Sequence, residues 1–299
     1  MGGGGAVSPE RPPEALAAVP ASVGTALAVG SGCVAATALS PFILTIDRSV
    51  TEYAAGRSGM FTALRTATGD ILMRPNQVLR SPALWMVIGV YGSTYAAANV
   101  IDEICERAHA NKQQHTAVKL FGVTAVNMSA SIAKDAAFAR MFGKQVAVEA
   151  GKKAAPLSMY GFFALRDLLT VSAGFVLPRL VAETLVSSTG MDSGKALKTS
   201  QLASPMLMQC ICTPIHLLAL DMFNTPKAAA MERVSNVCRT CPQPTLIRMF
   251  RFLCAYGIGG ILNTSLTGWH RDWSKERYFD ASVKEGVSSE EHKTSGDNR

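Results

Sequence analysis

The sequence predicts an all-α membrane protein of six transmembrane helices arranged as three two-helix repeats. Three observations carry that expectation. Six windows of roughly 20 or more mostly apolar residues run through the 299-residue chain, each long enough to cross a hydrocarbon layer of about 30 Å. Only 17% of residues are charged against 48% hydrophobic, the mean hydropathy is +0.18, and the charge collects in the connections and in the last thirty residues. Finally, Asp47, Asp135 and Asp221 recur at intervals of 88 and 86 residues, and Arg80, Arg166 and Arg251 at intervals of 86 and 85. Such a period marks a chain built from a repeated structural unit.

Residues 1–18 are a Gly/Pro-rich stretch with no basic segment ahead of a short apolar core, so they read as a disordered tail and not as a signal peptide. The first window, Val19 to Asp47, holds the small-residue run Ala26 to Gly30 and ends on its aspartate. A basic connection leads to the second window, Gln77 to Val100, opened by Arg80. The third, Ala117 to Asp135, again ends on its aspartate, and the fourth, Ser158 to Val186, contains Arg166 near its start. Thr199 to Asp221 and Thr245 to Trp269, with Arg251, complete the third unit. The repeats therefore span about 19–104, 115–190 and 198–269 within a membrane domain of 19–269, followed by a polar tail of 270–299. Gly, Ala, Ser and Thr are dense in these windows, as in Gly89 to Ser93, Asn127 to Ser131 and Gly257 to Gly260. In lipid, small residues let helix backbones approach closely. A soluble all-α protein would need polar faces that these windows lack.

The connections inside the repeats are basic. Arg48, Arg57, Arg65 and Arg74 face only Glu52 and Asp70; Arg140, Lys144, Lys152 and Lys153 face Glu149; Lys227, Arg233, Arg239 and Arg248 face Glu232. The connections between repeats balance their charges. By the positive-inside rule the three basic connections share one side of the membrane and both tails lie on the other.

An ionisable residue within a span costs several kcal/mol unless it faces the bundle interior, a partner or water. Three aspartates and three arginines at equivalent heights would converge on one axis, where guanidiniums suit bidentate binding of carboxylate or phosphate. They predict an anion-attracting cavity, with Arg179 as a further contributor. The alternative is that the aspartates are helix ends at the interface and that the arginines snorkel to headgroups.

Other chemistries find little support. Cys238 and Cys241 have the spacing of a metal knuckle but lack two further ligands nearby, and His109, His115 and His216 form no ligand spacing, so no metal or other cofactor is expected. No phosphate loop, nucleophile elbow or carboxylate pair points to an enzyme. The net charge of +7 is explained by basic connections beside anionic headgroups, without nucleic acid.

These residues resemble the mitochondrial carrier family. Asp47, Asp135 and Asp221 match the acid of that family's Pro-x-Asp/Glu-x-x-Lys/Arg motif, most clearly in Ala133-Lys134-Asp135-Ala136-Ala137-Phe138-Ala139-Arg140. Asn76-Gln77-Val78-Leu79-Arg80-Ser81-Pro82 and Tyr160-Gly161-Phe162-Phe163-Ala164-Leu165-Arg166-Asp167 look like openings of the family's even helices. Val50, Phe138 and Asn224 stand where the family places basic residues, and no aromatic-acid-x-x-base motif follows the arginines.

The resemblance implies a pseudo-threefold bundle in the mitochondrial inner membrane, the outer membrane being the alternative. It implies gate roles for Asp47, Asp135 and Asp221. Substrate contacts would lie at Arg80, Arg166 and Arg251, and two turns on at Ile88, Gly174 and Gly259. The expected partners are membrane lipids, cardiolipin among them, and a small anionic solute moved by alternating access. The alternative is a carrier-derived scaffold, assembly or insertion factor that transports nothing, which the missing salt-bridge motifs favour.

Overall fold

A computed structural model describes residues 19–144, 156–175, 177–259, 261–274 and 276–278. Among these the regular structure is helical throughout, with no strand. The tail 1–18, the middle basic connection at 145–155 and most of the C-terminal tail lie outside the described residues.

The first helix, α1 (Ala21–Ala54), begins directly after Pro20 and runs for 34 residues, about 50 Å at 1.5 Å per residue. Two shorter helices, α2 (Met60–Met73) and α3 (Pro75–Leu79), bring the chain to α4 (Pro82–Arg107). That helix starts with Pro82 at its first position, where a missing N–H costs nothing, and with the Ser81 hydroxyl accepting from the Leu84 N–H. A reciprocal capping box between Asn111 and Gln114 opens α5 (Lys112–Phe142). Next come α6 (Leu157–Phe175), α7 (Leu177–Thr189), α8 (Ser193–Leu207), α9 (Gln209–Asn224), α10 (Ala230–Thr240) and α11 (Pro242–Phe252). After α11 the backbone widens into a π turn, Leu253–Ile258, and residues 261–274 are helical again.

Among the described residues, four stretches are long and apolar enough to cross a membrane: Ala21–Ala54, Pro82–Arg107, Lys112–Phe142 and Ser193–Asn224. They correspond to the first, second, third and fifth windows of the sequence. The described residues of the fourth and sixth windows are helical, but the two windows differ from the expectation of single apolar spans. Arg166 and Asp167 interrupt the apolar run of α6, and Arg248, Arg251 and the π turn interrupt that of the last window.

Helix α1 packs most extensively on α4, α4 on α5, α6 on α9, and α11 against α8, α9 and α1. Small residues set the closest of these approaches: a Cβ on Gly32 would sit 2.6 Å from the Ala96 backbone nitrogen. Two apolar clusters form the interior. One joins Ile46, Val50, Phe163, Leu217 and Leu220 with Met60 and Val237 of the short helices α2 and α10; the other joins Leu39, Ile43, Leu84, Val87 and Phe138. Along α1, Asp47 falls at the junction of the two. Large apolar side chains also point outward, including Val34, Phe121, Leu168 and Ile211.

Candidate functional site

The buried charges converge between α1, α5, α6, α9 and α11. On α5, Lys134 and Asp135 follow one another; Lys134 Nζ donates to Asp47 Oδ2 on α1 and lies 2.7 Å from Asp135 Oδ1. The second oxygen of Asp47 accepts from Arg251 Nη1 at 2.5 Å, which ties α1 to α11. On α6, Arg166 bridges two carboxylates, with Nη1 at 2.7 Å from Asp135 Oδ2 and Nη2 at 2.7 Å from Asp167 Oδ1. Arg166 Nη1 also meets His216 Nδ1 of α9 at 3.0 Å. A guanidinium only donates, so this imidazole nitrogen must accept and the ring is neutral.

Aromatic faces cover the cations: Lys134 lies over Phe138, Arg166 over Phe163 and Arg251 over Phe252, at 4.9, 5.6 and 5.2 Å from the ring centroids. Such contacts strengthen when water is excluded. Arg248, three residues before Arg251 and so on the same face of α11, is 3% exposed. Its contact to another side chain is a long one, from Nε to Gln209 Oε1 at 3.4 Å.

These groups surround a cavity of about 30 Å³, lined by Lys134, Asp135, Arg166, Asp167, Arg248 and Arg251 together with Asn127, Ser131, Thr170 and Tyr91. That space holds one or two waters. Four cations, Lys134, Arg166, Arg248 and Arg251, meet three carboxylates, Asp47, Asp135 and Asp167, leaving one positive charge in excess. Removing a member of this network would leave a buried charge short of its partner, which typically costs about 3–5 kcal/mol. Chemically the arrangement can present donors to a carboxylate and a carboxylate to a cation within one small space.

The expected site residues divide. Arg166, Arg251, Asp47 and Asp135 come together. Asp221 is buried elsewhere: Arg233 Nη1 of α10 reaches its Oδ2 at 2.8 Å and Asn236 donates to Oδ1 at 3.2 Å, so it pins the short helix to the end of α9. Arg80 is exposed in the joint between α3 and α4, because the Ser81-Pro82 cap begins the membrane helix one residue later. Ile88 packs beside the Leu84 and Val87 cluster. Gly259 is a close-packing position, where an added Cβ would lie 2.2 Å from Leu39 Cδ1 and 2.5 Å from Tyr95 Oη. Positions 174 and 179 fall within α6 and α7, with the surroundings of Gly174 and the side chain of Arg179 outside the described residues.

Sequence reasoning passed over Lys134, Asp167, His216, Gln209 and Arg248 as site residues. The signal was present in two places. Lys134-Asp135 and Arg166-Asp167 are adjacent opposite charges within apolar windows, and Arg248 and Arg251 have the spacing of one helical face.

A family model described as probable citrulline exporter matches residues 31–268, four-fifths of the chain. No carrier domain was found, and this match overturns the resemblance to the mitochondrial carrier family. The charges at regular spacing pair without a threefold pattern: Asp47 and Asp135 share Lys134 and add Arg251 and Arg166 respectively, whereas Asp221 takes Arg233 of a short helix. Comparison with curated proteins and with solved structures returns no match.

Proposed function

The chain belongs to the family described as probable citrulline exporters, and on that premise we propose that it moves a small amino-acid solute of that kind across a membrane. It acts as a transporter and not as an enzyme. The observation that carries the proposal is the two-signed cavity lined by buried charges among apolar helices, because buried ionisable groups in such helices mark solute and ion pathways. Outward-facing Val34, Phe121, Leu168 and Ile211 suit a lipid surround.

At about 30 Å³ the cavity is too small for an amino acid. Transport on this reading requires the helices to part around the charges and then close again, giving access from alternate sides. In this reading all six helical segments of the membrane domain span the bilayer, including the two that charges and a π turn interrupt. Asp47 is the natural point of opening, since it alone ties α1 to both Lys134 and Arg251. The proposal is for a membrane; the mitochondrial inner membrane came from the carrier resemblance and leaves with it.

The test is efflux from liposomes. Purified protein reconstituted into vesicles loaded with radiolabelled L-citrulline is expected to give saturable efflux above protein-free vesicles. Well-folded protein that releases none would end the exporter reading and leave the scaffold alternative.

A further inference from the structure

We propose that Arg248 and Asp167 are the two recognition groups of the cavity, Arg248 receiving a substrate carboxylate and the second oxygen of Asp167 receiving an ammonium. The proposal rests on the exporter reading and deepens it, assigning as substrate a free α-amino acid with both its amino and carboxyl groups unblocked.

The first observation is the pairing of the other cations. Lys134 has Asp47 and Asp135, Arg166 has Asp135 and Asp167, and Arg251 has Asp47. Arg248 is as deeply buried as any of them, yet among the described residues no carboxylate lies within ion-pair distance of it, and Gln209 supplies one long hydrogen bond. A guanidinium carries five N–H donors in a fork that matches a carboxylate. A buried cation left with so little compensation is expensive unless an anion arrives to complete it.

Asp167 is 5% exposed; its Oδ1 is held by Arg166, while its Oδ2 is buried without a hydrogen-bond partner. Both residues line the cavity. Asp135 has Lys134 as well as Arg166, but Asp167 has only its share of Arg166 among the described residues, so an arriving ammonium would give it a cation of its own. An α-amino acid carries its ammonium and carboxylate on one carbon, which suits two receivers on the wall of one narrow space. Asn127, Ser131 and Thr170 on that wall offer an amide and two hydroxyls for an uncharged polar side-chain end such as a urea group.

The experiment measures binding to the purified full-length protein in detergent, with radiolabelled L-citrulline as probe. The competitors are unlabelled citrulline, its analogue lacking the α-amino group and its analogue lacking the carboxylate. Wild-type protein should bind each analogue about 10- to 100-fold more weakly than citrulline, the effect of losing one charge-assisted hydrogen-bonding group. Arg248→Gln should lose discrimination against the analogue without a carboxylate and keep that against the analogue without an amino group. Asp167→Asn should do the reverse. Variants that keep both discriminations while wild type binds citrulline would overturn the assignment and leave the exporter reading intact. A desamino analogue as tight as citrulline would remove the ammonium site and restore a simple anion as substrate. Wild-type protein that binds none of the three removes both readings together. Should either variant lack a cooperative unfolding transition, Arg248→Lys and Asp167→Glu replace them. Each should weaken citrulline while sparing the analogue that lacks the matching group, and an equal loss for both ligands would count against the proposal.

Discussion

Near the start of α1, Glu103 of α4 accepts from Arg107 at 2.8 Å, Arg271 reaches Glu106 at 2.8 Å, and Arg107 also donates to the Val19 carbonyl. Asn99 and Asn263 exchange amide hydrogen bonds at 3.0 and 2.9 Å, and Ser31 meets His270 at 2.6 Å. Further along α1, Asp47 enters the second polar cluster, the one around the cavity. Both clusters tie α1 to the last helical segment, but they differ in charge balance. The first sets two carboxylates against two guanidiniums and pairs its amides with one another, although Arg107 Nη2 and Arg271 Nε are buried without a hydrogen bond. The second keeps Arg248 without a carboxylate and Asp167 with an idle oxygen. A charge-balanced polar cluster fastens helices together, whereas one with an unmatched cation is a place for something to bind.

Mutation can break this contrast, and the largest effect is expected at the centre. Arg166→Met leaves Asp135 and Asp167 without the guanidinium that joins them, and should cost about 3–5 kcal/mol in thermal or denaturant unfolding and abolish efflux. Unchanged stability in that variant would mean that the network holds nothing together. At the other cluster, Glu103→Gln should lower stability by about 1–3 kcal/mol, since the part-buried contact between Glu103 and Arg107 is weakened. Efflux per folded molecule should persist, and its collapse would show that the two clusters do not have separate roles. The smallest effect belongs to Arg80→Ala. As an exposed residue outside the cavity it should change stability by no more than about 0.5 kcal/mol and leave citrulline efflux at the wild-type rate.

The helices were legible because hydropathy reports burial in lipid directly: α1, α4, α5 and the α8 to α9 stretch lie where the apolar windows placed them. Pairing was not legible to the same degree. A charge inside an apolar window announces that it needs a partner, but the partner is set by helix rotation and neighbour order, which are tertiary properties. Reading the charges at fixed periods selected Arg80, whose depth is cancelled by a proline two residues on, and Asp221, which is claimed by Arg233 twelve residues later. The same reading hid Lys134 and Arg248, which belong to no period and touch the cavity.

The π turn at Leu253–Ile258 governs how the last segment meets both clusters. Arg251 and Asn263 are twelve residues apart, which in an unbroken α-helix would set them about 120° apart around the axis. One extra residue accommodated in a wider turn reduces that to about 20°. Arg251 can then face Asp47 while Asn263 faces Asn99. The irregular turn thus suits contact with both polar layers, and removing a single residue from it would set Arg251 and Asn263 at odds.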